Sequence, residues 1–329
     1  MNVRVALATA LAAAVPITSA AAETTLRAVT FTPAQAYYAK SFQNFVDKVN
    51  ERGEGVVQIE VIGGPEVVPP LKLGEAQQNG VADIFDLPAG LYLNLVPEGE
   101  AFAGGNRTPM EVRENGGFDM VNEVFHAKGN AHLLAHVDAG APFHLFLTKE
   151  PKLAADGNPD LTGLRIRTAP LYRAFVESLG AVNVVQSPTE VYTSLERGVV
   201  EGAGYTVLGV RDFGWDKFLK YRVDPGFFQT DVLISMNLDA WNSLPPEAQE
   251  LLTDAAIEYE KESFEAVQAA TEAEDKALRD GGMEVFEITG AARDKYLADA
   301  YRVTWERLKE RDPTHHDALR EKFFQDLTN

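Results

Sequence analysis

The 329-residue chain has no cysteine. That excludes a disulfide framework, a thiolate metal site and a cysteine nucleophile at once. Positive charge is also scarce: 30 Lys and Arg stand against 49 Asp and Glu, a formal net charge of −19. Such acidity repels phosphate backbones and argues against nucleic acid as a partner. Long apolar runs are missing apart from Val5 to Ala20, which follows the short positive start Met1 to Arg4 and leads into Ala20-Ala21-Ala22. That run is shorter than the roughly 20 residues a membrane span needs, and its pattern predicts a secretory signal peptide over residues 1–22. The mature chain is then expected to be soluble, exported and periplasmic.

Several catalytic signatures are absent too. There is no G-x-S-x-G nucleophile elbow. Gly202-Ala203-Gly204 lacks the further glycine of a dinucleotide fingerprint, and His132 and His136 in H-L-L-A-H lack the glutamate of a zinc-protease helix. These histidines read as structural, and no cofactor or metal is expected.

What the chain does have is alternation. Strands are predicted at Thr25 to Thr30, Val56 to Ile62 and Ala82 to Phe85, with helices at Ala34 to Glu51 and Leu71 to Asn79 between them. This is the pattern of an α/β layer fold. Residues Pro97 to Pro109 show no period and read as loop. A helix is expected over Met110 to Lys128, then strands at Ala131 to Val137 and Phe143 to Leu147. Alternation restarts at residue 164 and runs through strands 182–185 and 202–207, with a helix at Thr189 to Arg197. A strand at Leu233 to Asn237 follows. Ser243 before Pro245-Pro246 then marks a helix start, and nothing breaks that helix until Asp280. At about 1.5 Å per residue it is roughly 50 Å long, which suits a helix lying across two domains. Its many acids read as a solvated face.

The restart, LRIRTAPLYRAFVESLGA over residues 164–181, carries the strongest signal. Leu164, Ile166 and Thr168 share one strand face, and Arg165 and Arg167 share the other. Arg165 lies where its side chain can reach water. Arg167 lies at the carboxyl end, where ligands collect in open α/β sheets. The alternative is that both arginines form ordinary ion pairs.

Together with SPTEVYTSLERGVVEG and MNLDAWNSLPPEAQELL, that stretch resembles the DctP-like substrate-binding proteins of TRAP (tripartite ATP-independent periplasmic) transporters. The resemblance implies two α/β domains with a ligand cleft between them, joined by hinge strands and spanned by a long C-terminal helix. It suggests residues 23–142 plus 236–275 for domain I, residues 143–235 plus 276–329 for domain II, and a helix over about 245–280 across both. It also implies no enzymatic activity. The function implied is capture of a small organic acid by Arg167, through a bidentate salt bridge to its carboxylate, and delivery to TRAP membrane permease subunits.

Other positions depart from the family pattern. His144 stands where a second arginine is common; it either donates to the ligand or is a satisfied core histidine. Tyr205 replaces an amide or acid and offers a hydroxyl and a ring face. Phe31 takes a position that is polar in sugar-acid binders. Trp215 and Phe228 would wall the cleft, unless they are plain core. Glu190 and Tyr192 read as domain packing. These departures favour a smaller or more apolar acid over a heavily hydroxylated one. The protein is expected to be a monomer. A receptor reporting to a signalling partner, or an exported enzyme on the same scaffold, are the alternatives.

Overall fold

The computed structural model describes residues 23–326. The expected signal peptide lies outside the described residues. Among them, no helix is long and apolar enough to cross a membrane.

Two sheets organise the chain. The first has five strands in the order Val57–Gly63, Thr24–Thr30, Ile84–Pro88, Val232–Asn237, Ala131–Val137. Its first three strands are parallel, while Val232–Asn237 runs antiparallel to both neighbours. The second has six, in the order Glu284–Glu287, Tyr221–Phe227, Phe143–Leu147, Gly202–Thr206, Arg165–Thr168, Val182–Val185. Here Phe143–Leu147 is the antiparallel member. Every residue of that strand is buried, which is why its sequence is a continuous apolar run without alternation. Over the first sheet, the helix Tyr37–Arg52 buries Tyr38, Phe42, Phe45, Val46 and Val49 at helical spacing.

The chain crosses between the sheets at residues 138–142 and again at 228–231, and the crossings are tied together. Thr230 N donates to the Ala141 carbonyl at 3.0 Å, and the His136 ring hydrogen-bonds the Thr230 carbonyl at 2.8 Å. The long helix is Pro246–Asp280, 35 residues. Leu252, Ala255, Ala256 and Tyr259 are buried on its first half, which packs on the helix Tyr37–Arg52 and the strand Ala131–Val137. Its far end reaches the second sheet, where Glu274 pairs with Arg211 at 3.2 Å and Asp275 with Arg222. The helix therefore spans both layers, as its length predicted.

Three details differ from the sequence expectations. Val232–Asn237 belongs wholly to the first sheet, so the boundary expected at 235/236 falls inside a strand. The segment expected as loop contains the helix Glu100–Gly104. It lacks an apolar period because two of its buried positions are carboxylates: Glu98 is held by Lys128 at 2.6 Å, and Glu100 by Arg307 at 2.8 Å. The helix expected over Met110 to Lys128 is two, Pro109–Glu114 and Gly117–Gly129, parted at Gly116, whose φ of 75° suits glycine. Thr108 and Glu111 cap the first of these reciprocally.

Candidate functional site

Arg167 and Arg165 leave the same strand face and meet different fates. Arg165 is half exposed and pairs with Glu201 at 3.5 Å. Arg167, two residues nearer the strand's carboxyl end, is only 3% exposed. Its Nε and Nη2 both donate to the Gln186 carbonyl, at 3.0 and 2.8 Å. Nη1 donates to Tyr172 Oη and to the Gly204 carbonyl, each at 2.9 Å. A guanidinium has five N–H groups, so one Nη2 hydrogen is left over. Among the described residues Arg167 has no carboxylate within ion-pairing distance, unlike Arg165, Arg222 and Arg307. The ordinary ion pair weighed from sequence does not form. A cation withdrawn from water without a counter-charge costs several kcal/mol, which carbonyl dipoles offset only in part.

The surroundings hold the guanidinium firmly. Gly204 lets Tyr172 close over the neighbouring strand: a Cβ there would stand 2.5 Å from the Tyr172 ring. That close approach explains the G-A-G sequence without a nucleotide. The guanidinium carbon lies 5.6 Å from the centre of the Tyr205 ring and 5.9 Å from that of Trp215. Tyr205 Oη and Trp215 Nε1 are both buried without a hydrogen-bond partner.

Beside Tyr205, between the two sheets, lies a cavity of about 40 Å³. Phe31, Tyr38, Pro88 and Val232 line it from the first sheet's side, and Phe143, Tyr205 and Thr206 from the second. Thr230 and Asp231, on a crossing segment, complete it. Tyr38 Oη meets Thr206 Oγ1 at 2.8 Å, a direct polar contact between the layers. Burial pushes the Asp231 carboxyl up to about 6, although it accepts from the Gly90 N–H at 2.6 Å. Burial likewise pushes Asp138 up to about 7, against the lowering effect of hydrogen bonds from Ser41 and Tyr37.

Of the six residues singled out from sequence, Phe31 and Tyr205 line this cavity, and Arg167 and Trp215 lie against the Tyr205 ring. His144 and Phe228 do neither. His144 Nδ1 faces Asp224 Oδ1 at 2.9 Å, and Asp224 also accepts from Arg222. Despite burial, His144 and Arg222 hold the Asp224 carboxyl down at about 2. The ring of His144 is thus spent on a neighbouring strand. Phe228 packs among Phe175, Phe227 and Tyr301, away from the cavity lining. His136 is a core histidine as expected, and His132 stacks on Trp241 at 3.9 Å. Elsewhere Glu98, Asp312 and His315 converge, but the Lys128 ammonium already sits between the two carboxylates.

Sequence reasoning missed Tyr38, Tyr172, Thr206, Asp86, Asp138 and Asp231. A signal existed for the acids: Asp86 interrupts the buried strand IFDLP, Asp138 directly follows a strand, and Asp231 directly precedes one.

Comparison with known proteins agrees with the architecture. Residues 113–311 match the model of the bacterial extracellular solute-binding proteins, family 7. A monocarboxylate 2-oxoacid-binding periplasmic protein of Nostoc sp. is 28% identical over 228 residues, which is 64% of this chain and 59% of that protein's own length. A Bordetella pertussis extracytoplasmic solute receptor binding pyroglutamic acid superposes with a TM-score of 0.80 at 18% identity, covering 91% of this chain and 99% of the other. A TRAP transporter solute-binding protein from Bordetella bronchiseptica, with calcium and picolinate in its site, gives 0.79 at 21% identity, over 92% and 91%. At such identities the structures speak for the fold alone, and the family match carries the assignment. The chain belongs to the bacterial extracellular solute-binding proteins, family 7, the DctP family.

Proposed function

We propose that this receptor captures a small organic acid between its two sheets, with Arg167 as the carboxylate anchor. The observation that carries the reading is a buried guanidinium with no counter-charge and one free N–H, set against Tyr205 at the edge of the inter-sheet cavity. A carboxylate there gains charge-assisted hydrogen bonds and supplies the missing charge. Tyr205 Oη and Trp215 Nε1 add unused donors beside it. Phe31, Pro88, Phe143 and Val232 give the cavity apolar walls, which suits a compact acid with few hydroxyls. The similar proteins bind 2-oxoacids, pyroglutamate and picolinate, all carboxylates.

In this reading the sheets part at the two crossing segments, admit the ligand and close on it. The closed form then docks on the TRAP membrane permease, and an ion gradient drives uptake. The receptor works outside the cytoplasm as a monomer, and no bond is made or broken.

The test is a thermal-shift screen of the mature protein against keto, hydroxy, dicarboxylic, aromatic and amino acids, with Arg167→Ala in parallel. A ligand at about 1,000 times its dissociation constant stabilises the native state by about 4.1 kcal/mol. Removing the anchor leaves a buried carboxylate unpaired and costs about 3–5 kcal/mol, two to three and a half decades of affinity. Binding weakened less than about fivefold by Arg167→Ala would overturn the anchor.

A further inference from the structure

The cavity bordered by Tyr205 also holds a buried acid with no ion-pairing partner among the described residues. Asp231 lines the cavity and is 2% exposed. Its contact with the rest of the chain is the Gly90 N–H, on the oxygen Oδ2. Asp86 stands two residues before the cavity-lining Pro88, on the same strand face, and accepts from Thr30 Oγ1 at 2.7 Å. Asp138, at the mouth of the other crossing, accepts from Ser41 Oγ at 2.9 Å and Tyr37 Oη at 3.4 Å. Among the described residues none of these three carboxyls has a Lys, Arg or His within ion-pairing distance, whereas the other three buried acids, Glu98, Glu100 and Glu260, do. Tyr205 Oη, buried and unpartnered, also borders this space.

A buried cation behind Tyr205 and a buried acid lining the cavity that Tyr205 borders therefore each lack a counter-charge among the described residues. A nitrogen-free monocarboxylate answers only half of that arrangement. It neutralises Arg167 but leaves the buried carboxyl of Asp231 without a cation to pair with. A molecule with a carboxylate at one end and a protonated nitrogen at the other answers both halves. We infer that the ligand is a small zwitterion, its carboxylate on Arg167 and its N–H-bearing cation on Asp231. The inference rests on the proposed anchoring role of Arg167 and deepens it by naming the ligand class.

The test is a matched-pair binding screen. Amino acids, their N-methylated forms and cyclic imino acids are each measured beside the isostere without nitrogen; L-proline with cyclopentanecarboxylate is one pair, and hydroxy acids form a third arm. Wild type, Asp231→Asn and Arg167→Ala are compared by calorimetry. Asparagine keeps an acceptor for the Gly90 N–H, so Asp231→Asn is expected to fold, and retained melting cooperativity checks it. The expected result is at least one zwitterion bound about 30-fold or more tighter than its isostere, with that preference largely lost in Asp231→Asn. Isosteres or hydroxy acids binding as tightly as their zwitterions, no zwitterion binding at all, or an unchanged preference in Asp231→Asn would each overturn the inference. The two readings fail separately: nitrogen-free acids that need Arg167 leave the anchor standing and remove the zwitterion, whereas binding that survives Arg167→Ala removes the anchor itself.

Discussion

Tyr172 Oη accepts a hydrogen bond from Arg167 Nη1 at 2.9 Å and donates its own O–H to the Gly204 carbonyl at 2.6 Å. The phenol is fully buried and packs on Phe143, 5.2 Å between ring centres, which itself lines the inter-sheet cavity. The guanidinium is thus pinned from two sides, by Tyr172 with the Gly204 carbonyl and by the Gln186 carbonyl. A pinned arginine loses little further freedom when an anion arrives, so more of the interaction energy appears as affinity.

Tyr172→Phe tests that relationship. The ring and its packing stay, while Arg167 keeps the Gly204 carbonyl but loses the phenol. A hydrogen bond to a charged group contributes about 1.5–3 kcal/mol, and only part of that is felt by the ligand. Affinity for the carboxylate ligand is expected to fall about tenfold. In an Arg167→Ala background the same change is expected to do nothing further to affinity. Equal losses in both backgrounds would assign Tyr172 to packing alone.

Tyr205→Phe separates stability from binding. The Tyr205 hydroxyl is buried with no partner, and leaving such a group unsatisfied costs about 1–3 kcal/mol. Removing it is expected to raise the melting temperature of the ligand-free protein by a few degrees, at roughly 2–4 °C per kcal/mol for a domain of 150–250 residues. Ligand affinity is expected to fall at the same time, because the donor is retained at a stability cost for the bound state. A variant that is more stable and binds as tightly as wild type would remove Tyr205 from the site.

What the sequence disclosed and what it hid divide along a physical line. The place of Arg167 at the carboxyl end of its strand was legible because the apolar run stops there and Pro170 and a helix follow within a few residues. The long helix was legible because no breaker follows Pro246 until Gly281. The acids escaped because only tertiary pairing assembles them. Asp86 and Asp231 lie far apart in the chain, and only the antiparallel pairing of Ile84–Pro88 with Val232–Asn237 puts their strands side by side. His144 stayed open between two roles for the same reason: its strand sets it opposite Tyr205, and only the adjoining strand brings Asp224 to its ring. The helix Glu100–Gly104 was hidden by charge, since burying Glu98 and Glu100 depends on Lys128, Arg307 and Arg311, all distant in sequence.

The buried acids also set a pH dependence whose sign can be worked out. Asp138 titrates at about 7 in the folded protein, against about 3.9 when unfolded. A raised carboxyl contributes stability that is fully present below about pH 4 and is lost as pH rises through 7, because the folded state holds the proton longer. Asp231, at about 6, acts in the same direction. His132 and His136, held down at about 4 by burial, act oppositely between about pH 4 and 6.5. The wild-type curve alone therefore mixes the two. Asp138→Asn isolates one side, since asparagine still accepts from Ser41 and Tyr37 through its remaining oxygen and both proteins share the histidines. The variant is expected to gain on wild type as pH rises from about 5 to about 8, by on the order of a few kcal/mol, read as a widening difference in melting temperature. Parallel melting curves across that range would place the Asp138 proton outside the folding equilibrium.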